Sequence, residues 1–331
     1  MLKRISLGFL IMFFLIFAIN SYASTSETTK VRTLTLGVTT AASMEFPEYA
    51  SIVKFKETLE EKTDGQIIVE IYPASQLGKL KEVIEGTSMG TINAFQIGFD
   101  SISTVYPPVA VFNLPYLFKD IPHLQRVFKS EAGQKVLNKM IQEMGLRLVS
   151  VLYRGPRQMM NSKRPIIKPS DLKGLKIRVP NNPLQTDTLK ALGATAVSID
   201  FSEIYTALSQ GLVDGYENPI DVIYETKGYE TLKYLSLTGH MQSPIPIVIN
   251  EKYYQSLSPE LQKEVMAAGK IAEDYRLELL KTSEDKALEI FKNAGVKVNE
   301  IGDFNLFREA TKDVYKKYVD EDTYRAILLV K

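Results

Sequence analysis

Residues 151–219 read VLYRGPRQMMNSKRPIIKPSDLKGLKIRVPNNPLQTDTLKALGATAVSIDFSEIYTALSQGLVDGYENP. Two arginines, Arg157 and Arg178, lie here in extended, half-apolar segments that read as strands, with turns and short helical patterns between them. Within 173–179 the residues alternate: Leu175, Ile177 and Val179 face one way, Lys176 and Arg178 the other. Pro180 ends the strand because it has no N–H to give to a ladder. An arginine at the carboxyl end of a strand in an α/β sheet points into the crevice where small ligands lie. Its planar fork matches a carboxylate through two parallel hydrogen bonds. From spacing alone, a solvated arginine on a strand face is the commoner outcome, since most arginines are exposed. Both readings are open at this point.

Outward from this stretch, strands and helical patterns alternate. Residues 33–38 (TLTLGV) read as a strand, Glu48–Lys62 as a helix with Tyr49, Ile52, Val53 and Phe55 on one side, and residues 66–72 as a second strand. A helix over Leu77–Met89, a strand over Ile92–Ile97, an irregular passage marked by Pro107, Pro108 and Pro115, a helix over Ile121–Met144 and a strand over Leu146–Tyr153 follow. Strands separated by helices predict βαβ units and a mostly parallel sheet. PIPIVIN (244–250) reads as a strongly buried strand, and Val296–Asn299 as the last.

Between those two lies the longest regular stretch. Ser258-Pro259-Glu260 supplies an N-cap, a proline at the first helical position and an acidic first turn. Helical periodicity then runs to Ala294-Gly295, with Gly269 weakening one turn. About 36 residues at about 1.5 Å each give about 54 Å, longer than one lobe of such a protein is wide. That predicts a spine crossing two lobes; two helices broken near 282–285 are the alternative.

The composition narrows the function. A chain of 331 residues is long enough for two lobes. Hydrophobic residues at 45% and charged residues at 24% are ordinary for a globular protein. Lys+Arg 40 against Asp+Glu 39 leaves no basic excess, which argues against nucleic-acid binding. With no cysteine there is no disulfide, no thiolate chemistry and no site for a lipid anchor. The two histidines, His123 and His240, lie far apart, which argues against zinc. No cofactor or metal is called for.

The first residues are a different material. Lys3 and Arg4 precede an apolar run over 8–19 (GFLIMFFLIFAI), and Ser21-Tyr22-Ala23 supplies small residues at the −3 and −1 positions. This make-up predicts a secretory signal cleaved after about Ala23. The apolar run would span about 18 Å as a helix against about 30 Å of bilayer core. A flexible tail over 24–32 is expected next.

Gly86-Thr87-Ser88-Met89-Gly90 matches the G-x-S-x-G nucleophile elbow, which needs a strand turning into a helix. Here LKEVIE before it is helical and TINAFQI after it is strand-like, so the glycines are expected to cap the helix. His240, beside a strand, is expected to pack rather than touch a ligand. Asp200 and Glu203 read as residues of a helix start.

Five pieces, taken in order, resemble the solute-binding proteins of tripartite ATP-independent periplasmic (TRAP) transporters, the DctP-type family. They are YPASQLG (72–78), VFNLPYLF (111–118), RQ (157–158), DLKGLKIRVP (171–180) and DFSEIYTALSQGLVDGYENP (200–219). The likeness runs from about residue 33 to about residue 325. It implies an α/β fold like that of periplasmic binding proteins: two lobes, a ligand cleft between them and a long C-terminal spine helix. Lobe I is expected over 33–153 plus about 244–283, and lobe II over 154–243 plus about 284–331. The resemblance assigns the ligand-carboxylate clamp to Arg178, further contacts to Arg157 and Asn218, another polar contact to Asn181 and an aromatic wall to Phe201. Thr39 and Gly98, after the first and third strands, sit at strand ends that face the cleft. Where a sialic-acid-binding relative would present an acid near the third strand, this chain has Ile97-Gly98. Glu45 is the residue able to turn an anion into the cleft.

The implied function is capture of a small organic acid (a C4-dicarboxylate, a sugar acid or another monocarboxylate) outside the cytoplasm and its delivery to membrane permease subunits. The protein is expected to be periplasmic, monomeric and without catalysis. The alternatives are a binding protein of an ABC-type or chemoreceptor system, or a periplasmic enzyme acting on a carboxylate with Asp or Glu as acid/base.

Overall fold

A computed structural model describes residues 31–330; the expected signal sequence and most of the expected tail lie outside the described residues. Strand β1 (Arg32–Val38) buries Leu34, Leu36 and Val38 and pairs in parallel with β2 (Ile67–Tyr72). The crossover is helix α1 (Pro47–Lys62), which opens on a proline whose missing N–H costs nothing there. Helix α2 (Leu80–Met89) leads to β3 (Ala94–Gln96), parallel to β1 on its other edge. Next come α3 (Phe99–Ile102), a 3₁₀ turn over Pro107–Asn113, α4 (Ile121–Lys129), α5 (Glu131–Met144) and β4 (Leu146–Pro156).

The helix expected over 121–144 is thus two helices. Ser130 is extended and its hydroxyl accepts the Gly133 N–H, capping α5. A Cβ on Gly133 would stand 2.0 Å from the Val127 carbonyl oxygen, so the corner needs glycine.

The chain then builds a second sheet from β5 (Gln158–Asn161), β6 (Lys176–Val179), β7 (Thr195–Ser198), β8 (Gly215–Asn218) and β9 (Tyr234–Leu237). Between these lie α6 (Pro183–Ala191), α7 (Ile204–Ser209), α8 (Ile220–Glu225) and α9 (Gly228–Thr231). Strand β10 (Gln242–Asn250) returns to the first sheet, followed by α10 (Glu251–Gln255) and α11 (Pro259–Asn293). Strand β11 (Lys297–Glu300), α12 (Phe304–Thr311) and α13 (Glu321–Leu328) complete the chain.

Among the described residues the first sheet runs β2-β1-β3-β10-β4 and the second β11-β9-β5-β8-β6-β7. In each sheet all strands but one run the same way, so the expectation of mostly parallel sheets holds with one reversed strand apiece. Strand β10 is antiparallel to both β3 and β4, and β5 is antiparallel to both β8 and β9. These are the strands by which the chain crosses between sheets, so they enter without a helical crossover to set their direction. Every residue of β10 is buried, which explains its unbroken apolar run.

Helix α11 is continuous over 35 residues, with Ser258 accepting the Leu261 N–H as its cap. Its Val265, Ala268 and Ala272 join the core of the first sheet, and its Ala287 and Phe291 that of the second. A Cβ on Gly269 would meet Val149 Cγ1 at 2.7 Å, so the glycine lets the helix lie close on β4. The C-terminal tail does not stay with the second sheet, as the range 284–331 expected. Phe307 of α12 packs there, but Val314, Val319 and Ile327 join the apolar core beside the first sheet, against α4 and α5. Among the described residues no helix is long and apolar enough to cross a membrane.

Candidate ligand-binding site

Strand β6 puts Ile177 and Val179 into the second core and Arg178 on the opposite face, as the alternation predicts. That face is not solvated: Arg178 is only 2% exposed. Its Nε donates to the Ile199 carbonyl at 2.8 Å, and among the described residues it makes no ion pair. Burial lowers the Arg178 pKa to about 10; Glu217 offsets part of this and Arg157 adds to it. A cation held out of water without an ion-pair partner is costly, and an added anion would relieve that cost.

Arg157 lies where the chain crosses from β4 to β5, its N–H bonded to the Met241 carbonyl at 2.8 Å. The antiparallel register sets Gln158 opposite Asn218 and Met159 opposite Glu217. That brings the Arg157 guanidinium against the end of β8. Its Nε and Nη2 both donate to the Glu217 carboxylate, the Nη2–Oε1 distance being 2.8 Å. Nη2 also donates to Asn218 Oδ1 at 2.9 Å. Glu217 is completely buried and reaches His240 Nε2 at 3.1 Å, while His240 Nδ1 pairs with Thr238 Oγ1 at 2.9 Å. Burial alone would raise the Glu217 pKa; Arg157 and, less strongly, His240 reverse this and lower it to about 2. The two arginines therefore differ: the charge of Arg157 is already met, that of Arg178 is not. Asn218 keeps Nδ2 buried without a partner.

His240 packs, as expected, but as part of this polar network. Glu217 was not singled out by sequence reasoning; the available signal was an acid inside an otherwise buried strand next to Tyr216. Asn181 is exposed, whereas the adjacent Asn182 is buried and caps α6 by accepting the Gln185 N–H at 3.0 Å. Asn182 Nδ2 also donates to the Asp100 carbonyl, joining the two halves of the molecule. Phe201, 42% exposed, opens the 3₁₀ turn Phe201–Glu203. Thr39 is half-buried beside a small hollow lined by Gly37, Tyr72, Leu77 and Ile97. Its neighbour Thr40 is buried and donates to Glu225 Oε1 at 3.1 Å, a second link between the halves. Glu45 is exposed.

Gly98 precedes α3, and here the expectation of no acid nearby is overturned. A Cβ built on Gly98 would stand 2.2 Å from Asp100 Oδ1, so the Asp100 carboxylate is folded over the glycine. Two residues of separation hid this, because a helix start turns the later side chain back over the earlier backbone.

Arg276, at the middle of α11, is paired with Asp221, and Arg154 of β4 with Glu48. Ser88 lies within α2, its hydroxyl donating to the Met144 carbonyl at 2.6 Å, and Gly90 caps the helix at φ 86°, as expected of a cap and not of an elbow. Among the described residues no group of three or more His, Asp or Glu side chains is placed to hold a metal.

Residues 38–322 match the family model of the bacterial extracellular solute-binding protein, family 7, DctP. The chain is 32% identical over 278 residues to the 2,3-diketo-L-gulonate-binding periplasmic protein YiaO of Escherichia coli, covering 83% of this chain and 84% of that one. It is 33% identical over 305 residues to the sialic acid-binding periplasmic protein SiaP of Vibrio cholerae, covering 91% and 92%. A TRAP periplasmic solute-binding protein of Roseobacter denitrificans, solved with bound β-D-glucuronate, superposes with a TM-score of 0.85 at 30% identity, covering 91% of this chain and all of that one. These relatives are binding proteins and not enzymes. A two-sheet α/β architecture spanned by one long helix, a buried arginine with no counter-ion and a match over most of the chain agree: this protein belongs to the DctP-type family of TRAP solute-binding proteins.

Proposed function

We propose that the protein captures a sugar acid by its carboxylate in the cleft between two lobes and presents it to the permease subunits of a TRAP transporter. The observation that carries this reading is Arg178, buried at the end of β6 with one nitrogen fixed by Ile199 and no carboxylate of its own. Its two remaining nitrogens would take the ligand carboxylate in a planar fork. Arg157, already held by Glu217, would align the Asn218 amide, whose unpartnered Nδ2 is a donor free for ligand oxygen. Phe201, Asn181, Thr39 and Gly98 would line the remaining wall. The names of the relatives support the ligand class: a diketo sugar acid, sialic acid and glucuronate all carry one carboxylate and several oxygens.

The lobes would correspond to the two sheets. Ligand would draw them together by its differential affinity for the closed form. The unbroken α11 limits that motion to a hinge.

Calorimetry and thermal shift with D-glucuronate, D-gluconate and succinate, and with glucose and D-glucuronamide as uncharged controls, test this reading. The two sugar acids should bind, succinate more weakly than either, and the uncharged controls should not bind. Stabilisation by glucose equal to that by glucuronate, or by none of the acids, would remove the proposal.

A further inference from the structure

We infer that Asp100 is the residue that sets ligand class, accepting hydroxyls of a polyhydroxy monocarboxylate and repelling the second carboxylate of a dicarboxylate; this rests on the sugar-acid reading above. Asp100 Oδ1 accepts the Ser101 N–H at 2.9 Å, and Oδ2 is 3.5 Å from Gln185 Nε2 of the opposite half, at the outer limit of a hydrogen bond. The Asp100 main-chain oxygen takes the Asn182 amide from that same half. Asp100 therefore stands on the wall of the first half facing the second, half-buried, and among the described residues it has no ion pair. Burial lowers the Arg157 pKa, and Glu217 and, to a smaller extent, Asp100 raise it, which sets Asp100 within electrostatic reach of Arg157.

The charges of the site then decide. Arg157 is satisfied by Glu217, which leaves Arg178 and Asp100 as a cation and an anion on the facing walls with no ion pair among the described residues, the exposed Asp200 also acting on Arg178. A ligand with one carboxylate and hydroxyl donors at its other end is complementary to both. A dicarboxylate would have its first carboxylate met by Arg178. Its second would find no free guanidinium and would share the cleft with Asp100, where like charges repel in a medium of lowered dielectric. Gly98 is part of this device, because any side chain there would collide with the Asp100 carboxylate and displace it.

The test compares wild type with Asp100→Ala and Asp100→Asn against three probes by calorimetry. D-glucuronate carries carboxylate and hydroxyls, cyclohexanecarboxylate has a comparable ring and carboxylate without hydroxyls, and succinate has two carboxylates. Wild type should prefer D-glucuronate over succinate. Asp100→Ala should weaken D-glucuronate at least about tenfold, leave cyclohexanecarboxylate within about threefold and strengthen succinate. Asp100→Asn should also strengthen succinate, since it removes the charge and keeps the shape.

Equal weakening of all three probes would make Asp100 only a latch between the halves and overturn the inference, as would an unchanged glucuronate-to-succinate ratio. Failure of the underlying carboxylate reading has a separate signature: Arg178→Met would then leave all three probes unaffected.

Discussion

Replacing Arg178 with methionine should change ligand affinity and unliganded stability in opposite directions. The side chain is almost wholly buried, and its pKa falls from the usual guanidinium value to about 10, chiefly through burial. At about 1.36 kcal/mol per pH unit, that gap is a penalty of about 3 kcal/mol for holding the charge in the empty site. The sign follows from linkage. A folded pKa below the unfolded one means that the native state disfavours the proton, so the penalty is full below pH about 10 and fades above it. Methionine fills similar volume without charge and forfeits one hydrogen bond, to Ile199, worth about 1 kcal/mol. The empty variant should therefore be more stable by about 1–2 kcal/mol in urea denaturation at pH 7. Binding should go the other way. A ligand carboxylate buried without its partner loses about 3–5 kcal/mol, or about a hundred- to several-thousand-fold in Kd. Arg178→Lys should recover only part, because an ammonium cannot form the planar fork. Calorimetry with D-glucuronate reads the affinity. A Kd within threefold of wild type, or an empty variant less stable by about 2 kcal/mol or more, would refute the reasoning by making Arg178 a structural residue.

Three further outcomes are expected. Glu217→Gln should lower stability by about 3–5 kcal/mol, since Arg157 would keep a buried charge with no anion. Because the folded Glu217 pKa is depressed to about 2, the stability it contributes is present above its unfolded value of 4.5 and lost as pH falls from there towards about 2. Urea midpoints of wild type and variant should converge across that window; a constant gap would contradict it. Glu225 behaves oppositely: burial, then Glu48, raise its pKa to about 7, with Arg154, Thr40 and Asp221 also facing it. The folded state then holds a proton that the unfolded state releases, so stability falls as pH rises from 4.5 through about 7. Glu225→Gln should raise Tm at pH 8 and leave it nearly unchanged at pH 4.5, and equal shifts at both would count against the assignment. Gly269→Ala should destabilise by about 1–3 kcal/mol despite its better helix propensity, because the new methyl would press on Val149 and Ser150. A more stable variant in chemical denaturation would mean that α11 can lift off β4 freely.

Local features of this protein were legible in the chain alone because they depend on neighbours in sequence. The alternation around Arg178, the proline that ends β6, the Ser258-Pro259 start of α11 and the glycine cap at Gly90 all follow from backbone geometry over a few residues. What the chain alone did not decide depends on which strands meet and in which direction. The corner at Ser130 rests on a close approach of Gly133 to the Val127 carbonyl, which periodicity does not register. The antiparallel entry of β5 and β10 comes from the chain crossing between sheets. That crossing also joins Arg157 to Glu217, 60 positions on, and Glu217 to His240, 23 further. The same contacts separate the two arginines, neutralising Arg157 and leaving Arg178 bare. Sequence pattern marked both as arginines on strands; only the register of β5 on β8 determined which one is left with a charge to share.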